Sequence, residues 1–212
     1  MHAATVVEAC SVGAKATRRP PTPMCSADNA TSRLNTACFM NTNPSSHRVA
    51  VVTGAARGIG LAIARWFLDH EHAAVLVDRD ANPLAQAAAA LEAAYPGRVL
   101  SVDADVSRPA DVARAVADTY APFGRVDALV NNAGVAIFKP ILEPSFAEFR
   151  EVLATNLDGA FLCTQAFAPL MLRGIERGTQ RGGAVVNSAS ISGLRASTLR
   201  VAYGTSKGAL IH

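Results

Sequence analysis

Aromatic side chains, lysines and long apolar runs are all scarce in this sequence. Phe, Tyr and Trp make up 6% of the 212 residues, and lysine occurs at Lys15, Lys139 and Lys207 alone. No apolar run approaches the roughly 20 residues that a membrane-spanning helix needs. The net charge is +3, and the basic residues form no stripe with interleaved aromatics. We therefore expect neither a membrane nor a nucleic acid as a partner.

Cysteines are few, and their spacing suits neither a disulfide framework nor a metal site. The four are Cys10, Cys25, Cys38 and Cys163, and no two form a Cys-x-x-Cys pair. This spacing argues against a zinc site and fits a reducing compartment. We predict a cytoplasmic protein without a bound metal.

The N-terminal segment differs in composition from the rest of the chain. Residues 1–46 are rich in Ala, Thr, Ser, Asn and Pro and show neither helical nor strand periodicity. We predict a disordered extension there, followed by one domain over residues 47–212. The few acids and several bases faintly resemble a transit peptide. A simpler interpretation is that translation begins at Met40.

From Arg48 onward, short apolar runs alternate with segments of helical periodicity. The predicted strands begin at Val49, Ala74, Arg98, Asp127 and Gly183. Ser107 is predicted to cap the third helix, Ser145 and Glu148 to form a capping box for the fourth, and residues 173–183 to form an exposed loop. Alternating strands and helices indicate a doubly wound parallel sheet, an α/β fold that binds ligands at the carboxyl ends of its strands.

A glycine-rich turn joins the first predicted strand to the first predicted helix. It reads Thr53-Gly54-Ala55-Ala56-Arg57-Gly58-Ile59-Gly60. Glycines permit a tight turn and close approach to a pyrophosphate, and a helix N-terminus favours an anion. The segment therefore predicts a dinucleotide site, with an ordinary glycine-rich turn as the alternative.

An acidic residue ends the second predicted strand. A carboxylate at Asp78 can accept hydrogen bonds from the ribose hydroxyls and repels a 2′-phosphate. This position favours NAD, whereas a solvated loop acid is the alternative interpretation. Arg79 follows directly and could contact a phosphate, so NADP stays open.

Tyr203 and Lys207 form the clearest candidate for proton-transfer chemistry. Residues four apart share one face of a helix. An ammonium beside a phenol favours the phenolate, which is the acid/base that alcohol–ketone interconversion needs. A solvated lysine on an amphipathic helix is the alternative.

Several motifs agree in order and spacing. They are the segment Thr53 to Gly60, Asn131-Asn132-Ala133-Gly134 after the fourth strand, and Asn156, Ser190, Tyr203 and Lys207. With them, the chain from about Arg48 onward resembles the classical short-chain dehydrogenase/reductase family. The resemblance implies a Rossmann-like fold and an oxidoreductase that moves hydride between NAD or NADP and a small-molecule alcohol or ketone.

The resemblance also implies a role for each residue of a catalytic set. Tyr203 would be the acid/base, and Lys207 would hydrogen-bond the nicotinamide ribose and favour the phenolate. Ser190 would hold the substrate oxygen, and Asn156 would support a proton-relay water. A turn hydroxyl at Ser190 and a helix-backbone partner at Asn156 are the alternatives.

Two serines, Ser188 and Ser192, are neighbours that could be confused with Ser190. The cofactor contacts that the resemblance implies are Gly54, Arg57, Gly58, Ile59, Gly60, Asp78, Asp105, Val106, Asn132, Ala133 and Gly134, together with Tyr203 and Lys207. Asp105 and Val106 would contact adenine, whereas Asn131 would tie strands together.

The family usually runs to roughly 250 residues, the upper range for one α/β domain. We therefore expect a C-terminally truncated member, with its last strands missing and the edge of the fifth predicted strand unpaired. The family's homo-oligomer, a dimer or tetramer, would then be incomplete. A truncated, inactive nucleotide-binding fragment and a non-catalytic NAD-sensing scaffold are the alternative functions.

Overall fold

A computed structural model of the chain describes residues 7–12, 46–196 and 198–212. The strands in these ranges are β1 (Val7–Val12), β2 (Val49–Thr53), β3 (Ala73–Asp78), β4 (Val99–Asp103), β5 (Ala128–Asn131) and β6 (Gly183–Ser188). The α-helices in the same ranges are α1 (Gly58–Asp69), α2 (Ala81–Ala94), α3 (Pro109–Phe123), α4 (Phe146–Leu153), α5 (Gly159–Glu176) and α6 (Val201–Ile211). A π-helical turn, Ala154–Asp158, joins α4 to α5, and a 3₁₀ turn, Ile191–Gly193, lies before α6. Across these ranges no helix is long and apolar enough to cross a membrane.

The strands form one sheet in the order β1-β6-β5-β2-β3-β4. Strands β2 to β6 pair in parallel, as the alternation of strands and helices predicts. The chain moves outward from β2 through β3 to β4 and then returns to β5 on the other side of β2. The connections therefore reverse direction between β2 and β5, where such sheets bind ligands.

The central strands are buried on both faces, which is why they read as continuous apolar runs. Successive side chains point to opposite faces of the sheet. Val52 and Leu76 pack with Leu68 of α1 and Leu84 of α2. The opposite face packs against α3 and α5, with Phe167 at its centre. Two apolar layers therefore hold the strand ends of the sheet in a fixed arrangement.

Part of the predicted disordered extension proves to be a strand. β1 pairs antiparallel with β6 over the register Val7↔Ser188 to Val12↔Gly183. The edge of β6, which we expected to be unpaired, therefore has a partner. An edge strand presents free backbone donors and acceptors that another segment can satisfy, so its pairing depends on the tertiary structure rather than on local pattern. The rest of residues 1–45, including Met40, lies outside the described residues.

The segment predicted as a loop over residues 173–183 is partly helical. α5 continues to Glu176, and the chain then turns at Gly178, which has a φ of +71°. The buried side chain of Gln180 donates from Nε2 to Val126 O at 3.1 Å and to Gly182 O at 3.2 Å. These bonds hold the turn against the domain, so the segment is anchored.

Ser107 does not cap α3. Its hydroxyl donates to Asp105 Oδ1 at 2.7 Å, and its amide donates to the same oxygen at 3.0 Å. Arg108 occupies the N-cap position without a side-chain bond. The local turn at Asp105 thus competes successfully for the serine hydroxyl. The capping box of Ser145 and Glu148 at the start of α4 is present as predicted.

Candidate functional site

A cleft of about 400 Å³ opens at the carboxyl ends of the parallel strands. Its lining residues are Gly54, Arg57, Val77, Asp78, Arg79, Asp80, Ala104, Asp105, Val106, Asn132, Ala133, Gly134, Val135 and Thr155. They include eight of the residues predicted to contact a cofactor. The cleft lies at the reversal of the strand connections, as expected for this sheet topology.

The glycine-rich turn lies so close to the loop after β5 that there is no room between them for a side chain. Gly54 has a φ of +66°, and a Cβ there would lie 2.8 Å from Ala133 Cα. A Cβ at Gly60 would collide with the Gly54 carbonyl oxygen. Gly58 has a φ of +58° and begins α1. Ile59 follows in the first turn of α1, is 56% exposed and is not among the residues that line the cleft.

Thr53 and Asn132 lock this turn to the end of β5. Asn132 Nδ2 donates to Thr53 O at 3.0 Å and to Gly54 O at 3.2 Å. Thr53 Oγ1 accepts from the amides of Asn132 and Ala133, both at 3.0 Å. The role of Thr53 was missed in our sequence reasoning, although it is the first residue of the predicted phosphate loop.

Asn131 ties secondary-structure elements together, as we predicted. Its Nδ2 donates to Asn187 Oδ1 of β6 at 2.9 Å and to Thr164 Oγ1 of α5 at 3.0 Å. The side chain is buried beneath the cleft. It therefore supports the site from below.

The acidic end of the cleft is built around Asp78. Its Oδ2 accepts from the Ala56 amide at 3.0 Å, and its Oδ1 accepts from the Asp80 amide at 3.1 Å. Arg57 forms an ion pair with Asp80. Arg79 lies nearby, with its Nη1 3.9 Å from Asp105 Oδ2. Both arginines at this end therefore already face carboxylates.

Asp105 and Val106 line the same cleft beyond β4. Burial alone would raise the pKa of the Asp105 carboxyl, but the hydrogen bonds from Ser107 and the nearby Arg79 and Arg108 bring it below its ordinary value. Val106 packs against Gly159, where a Cβ would lie 2.7 Å from Val106 Cγ2. A charged carboxylate and an apolar wall thus stand side by side.

Tyr203 and Lys207 lie on one face of α6, as their spacing predicts. Lys207 Nζ lies 5.8 Å from the centre of the Tyr203 ring and donates to Ser188 O at 2.6 Å. Burial lowers the pKa of this ammonium to about 8. A Cβ at Gly134 would lie 3.7 Å from Lys207 Nζ. The wall of the cleft therefore leads directly to Tyr203 and Lys207, the candidate catalytic pair.

The three candidate serines have different surroundings. Ser190 is half-buried at the start of the 3₁₀ turn, where its Oγ accepts from the Ser192 amide at 3.2 Å. Ser188 and Ser192 are buried. The turn packs tightly on α6, since a Cβ at Gly193 would lie 2.6 Å from the Lys207 carbonyl carbon. Ser190 therefore offers the most accessible of the three hydroxyls.

Asn156 is buried in the π-helical turn, and its bonds leave its own helix. Oδ1 accepts from the Val135 amide at 2.8 Å, and Nδ2 donates to Val135 O at 3.0 Å. Nδ2 also donates to Ser206 Oγ at 3.0 Å. The partners are thus the loop after β5 and helix α6. These bonds of the Asn156 side chain are therefore not bonds to the backbone of its own helix, which was the alternative interpretation.

Large apolar side chains are exposed between β5 and the first turn of α4. Leu142 is 95% exposed, and Phe138 and Phe146 are also exposed. Lys139 Nζ pairs with Glu148 Oε1 at 2.5 Å. The hydrogen bond from Lys139, with those from Ser145, lowers the pKa of Glu148 to about 2. This ion pair fixes the loop that carries the exposed side chains to α4.

Comparison with known proteins places this geometry in a family. Residues 48–212 match the sequence model of the short chain dehydrogenases. The chain is 42% identical over 167 residues to 2-(R)-hydroxypropyl-CoM dehydrogenase of Xanthobacter autotrophicus, covering 77% of this chain and 64% of that protein. It is 42% identical over 160 residues to D-threitol dehydrogenase of Mycolicibacterium smegmatis, covering 76% and 59%.

A solved structure is similar as well. The short chain dehydrogenase/reductase of Burkholderia phymatum in complex with NAD superposes with a TM-score of 0.72 at 33% identity, covering 78% of this chain and 57% of that one. The chain spans about three fifths of the length of such relatives. The matched region includes the glycine-rich turn, the cleft and α6. This chain therefore belongs to the short-chain dehydrogenase family.

Proposed function

We propose that this protein transfers hydride between NAD and an alcohol or ketone, with Tyr203 as the acid/base. The observation that carries the proposal is the junction of cleft and catalytic helix at Gly134. A Cβ there would lie 3.4 Å from Asn156 Oδ1 and 3.7 Å from Lys207 Nζ. A dinucleotide extending along the cleft past Gly134 would reach the face of α6 that carries Tyr203.

The residues of the cleft fit a dinucleotide. The glycines leave a cradle that side chains would fill, and the helix N-terminus behind it favours a pyrophosphate. Lys207 has three ammonium hydrogens, and its bond to Ser188 O uses one. The others can bind ribose hydroxyls. Bound NAD would supply the hydride acceptor for the reaction.

The remaining steps fall to the chain's own side chains. During oxidation, Tyr203 as phenolate takes the hydroxyl proton of the substrate, and during reduction it returns one. The Lys207 ammonium favours the phenolate through its positive charge. Ser190 Oγ orients the substrate oxygen and stabilises the charge that develops on it. Asn156 holds the loop and helix between which these groups lie.

The acidic end of the cleft supports a preference for NAD over NADP. Asp78 presents a carboxylate at the end of β3, where a ribose 2′-phosphate would meet a like charge. Arg57 and Arg79, which could offset this repulsion, already face Asp80 and Asp105. We expect NADH to raise the melting temperature more than NADPH does. A ligand at 100 times its dissociation constant adds ~2.7 kcal/mol of stability.

Exposed apolar side chains before α4 and on α5 support two further parts of the proposal. Phe138 and Leu142 are exposed and can offer apolar contact to a substrate. On α5, Phe161 is 62% exposed, and a second copy could cover it. We propose a homo-oligomer through this helix. Light scattering on the purified protein would detect it, and Phe161→Asp should shift the population toward monomer.

The deciding experiment measures NADH oxidation with a panel of ketones for the wild-type protein and for Tyr203→Phe. Loss of the phenol should lower kcat by about 10²- to 10⁴-fold. The NADH-induced rise in melting temperature should be retained, because the phenol is not needed to hold the nucleotide in the cleft. Turnover that is unchanged in Tyr203→Phe would overturn the proposal. NADH binding without turnover across the panel would instead favour the NAD-sensing scaffold.

A further inference from the structure

Ser206 lies between the two residues of α6 that carry the proposed chemistry. It is fully buried, although serine is a polar residue. Its Oγ donates to the Tyr203 carbonyl oxygen at 2.8 Å and accepts from Asn156 Nδ2 at 3.0 Å. A single hydroxyl therefore bonds the turn of α6 that carries Tyr203 to a second structural element.

The amide of Asn156 is fully occupied by these contacts. One Nδ2 hydrogen goes to Val135 O and the other to Ser206 Oγ, while Oδ1 accepts from the Val135 amide. An asparagine amide has two donor hydrogens. Asn156 therefore acts through its neighbours, and Ser206 is its contact on α6.

The chain of bonds connects the cofactor cleft with the catalytic helix. Val135 lines the cleft beside Gly134. From Val135 the bonds run through Asn156 to Ser206 and on to the Tyr203 carbonyl. Asn156 and Ser206, the two middle members of this series of hydrogen bonds, are both buried and therefore shielded from water. Buried hydrogen-bond networks hold their members in defined positions.

We propose that Ser206 is a positioning residue that fixes Tyr203 relative to Lys207 and couples α6 to the cofactor loop at Val135. This inference rests on the proposed hydride transfer for its kinetic consequences, but the coupling between cleft and α6 does not need turnover.

A serine within a helix can also bond a preceding carbonyl for local reasons alone. Such a bond would affect stability but would leave the pH profile of kcat and the response of α6 to NADH unchanged. These two readouts separate positioning from a merely local role.

The kinetic test compares Ser206→Ala with Thr205→Ala. Thr205 is an exposed neighbour on the same helix and serves as the matched control. In Ser206→Ala we expect kcat to fall about 10- to 100-fold, because small misplacements of a reacting group are costly. The KM for NADH should stay within about twofold, since the cleft is untouched. The pH profile of kcat during alcohol oxidation should also differ from that of Thr205→Ala, because the phenol changes its distance from the Lys207 ammonium.

The structural test measures hydrogen–deuterium exchange over residues 201–211 with and without NADH. In the wild-type protein and in Thr205→Ala, NADH should slow exchange in α6 through the bonds from Val135. In Ser206→Ala this protection should be reduced, while the NADH-induced rise in melting temperature remains. If Ser206→Ala does not fold, Ser206→Cys retains the volume and a weak donor, and the same two readouts should show a smaller change.

A Ser206→Ala protein with the kcat, pH profile and NADH-dependent exchange of Thr205→Ala would overturn the inference. A wild-type protein without turnover would overturn the proposed function instead. In that case, the exchange measurement alone decides whether Ser206 couples α6 to the cleft.

Discussion

The proposed nucleotide half and the proposed substrate half of the site are built in different ways. In the nucleotide half, buried strands end in loops that bond to each other, as Asn132 does with Thr53 and Gly54. In the substrate half, a surface loop held by Lys139 and Glu148 carries exposed apolar side chains such as Leu142. The first half is supported by the core and tolerates little change. The second half is fastened at its edges and leaves apolar surface free for a ligand.

Adding a side chain to the glycine-rich turn should have the largest effect on stability and on NADH binding. In Gly60→Ala, the new Cβ collides with the Gly54 carbonyl oxygen and lies 2.6 Å from Asn132 Nδ2. Overpacking of this kind costs about 3 kcal/mol. We expect a lower melting temperature and no further rise with NADH.

Gly182→Ala is the control for this experiment, because a Cβ there would meet no described atom within 4 Å. Its melting temperature and its NADH response should equal those of the wild-type protein. NADH binding that survives in Gly60→Ala would show that the turn is less rigid than its contacts imply.

The buried ammonium of Lys207 should give the stability of the protein a characteristic pH dependence. Its pKa is about 8 in the folded protein, against an ordinary value of 10.5. Between these pH values the unfolded chain binds the proton more fully, so the free energy of unfolding should rise as the pH increases. The rise should be about 3.4 kcal/mol at most.

Lys207→Met removes this titration while filling a similar volume. Its free energy of unfolding, measured by urea denaturation from pH 7 to pH 10.5, should lack the rise seen in the wild-type protein. Burial raises the pKa of the Cys163 thiol to about 12, and this contribution is common to both proteins. Parallel curves for the two proteins would show that Lys207 is hydrated in solution.

The side-chain hydrogen bonds of Asn132 should contribute less to stability than the close packing around Gly60. Asn132→Ala leaves the Thr53 and Gly54 carbonyl oxygens without their side-chain donor. The loss should cost about 1–2 kcal/mol of stability and weaken NADH binding. Titration calorimetry with NADH measures the second effect, and an unchanged affinity would mean that the backbone bonds to Thr53 Oγ1 suffice.

The smallest effect should come from the substrate half. Leu142→Ser replaces a side chain that is 95% exposed, so stability should change by less than about 0.5 kcal/mol. NADH affinity should stay the same, whereas the KM for an apolar ketone should rise. A large loss of stability would contradict the view that this half is independent of the core.

The sequence predicts the parts of the site that depend on local pattern. The glycine-rich turn, the acid at the end of β3 and the Tyr203–Lys207 pair follow from spacing within one or two elements. The parallel sheet follows from the alternation of strands and helices. Each of these depends on interactions between residues that are near in the chain or in adjacent elements.

The parts that the sequence does not predict depend on distant contacts. Thr53 Oγ1 meets the Asn132 amide 79 residues away, and Asn156 meets Ser206 50 residues away. β1 becomes a strand only because β6 offers it an edge. Such outcomes are decided by the folded arrangement, which a linear pattern does not contain.

The number of residues in the π-helical turn between α4 and α5 bears on the proposed function. In Ala154–Asp158 the backbone hydrogen bonds join residues five apart instead of four, so the turn holds an extra residue compared with an α-helix. Deleting a single residue here would convert the wide turn into regular α-helix and change the direction of the side chains within it. Asn156 would then turn away from Val135 and Ser206, although every motif residue would still be present. In this family member, deletion scanning should find a sensitive position that substitution scanning would rank among its ordinary helix residues.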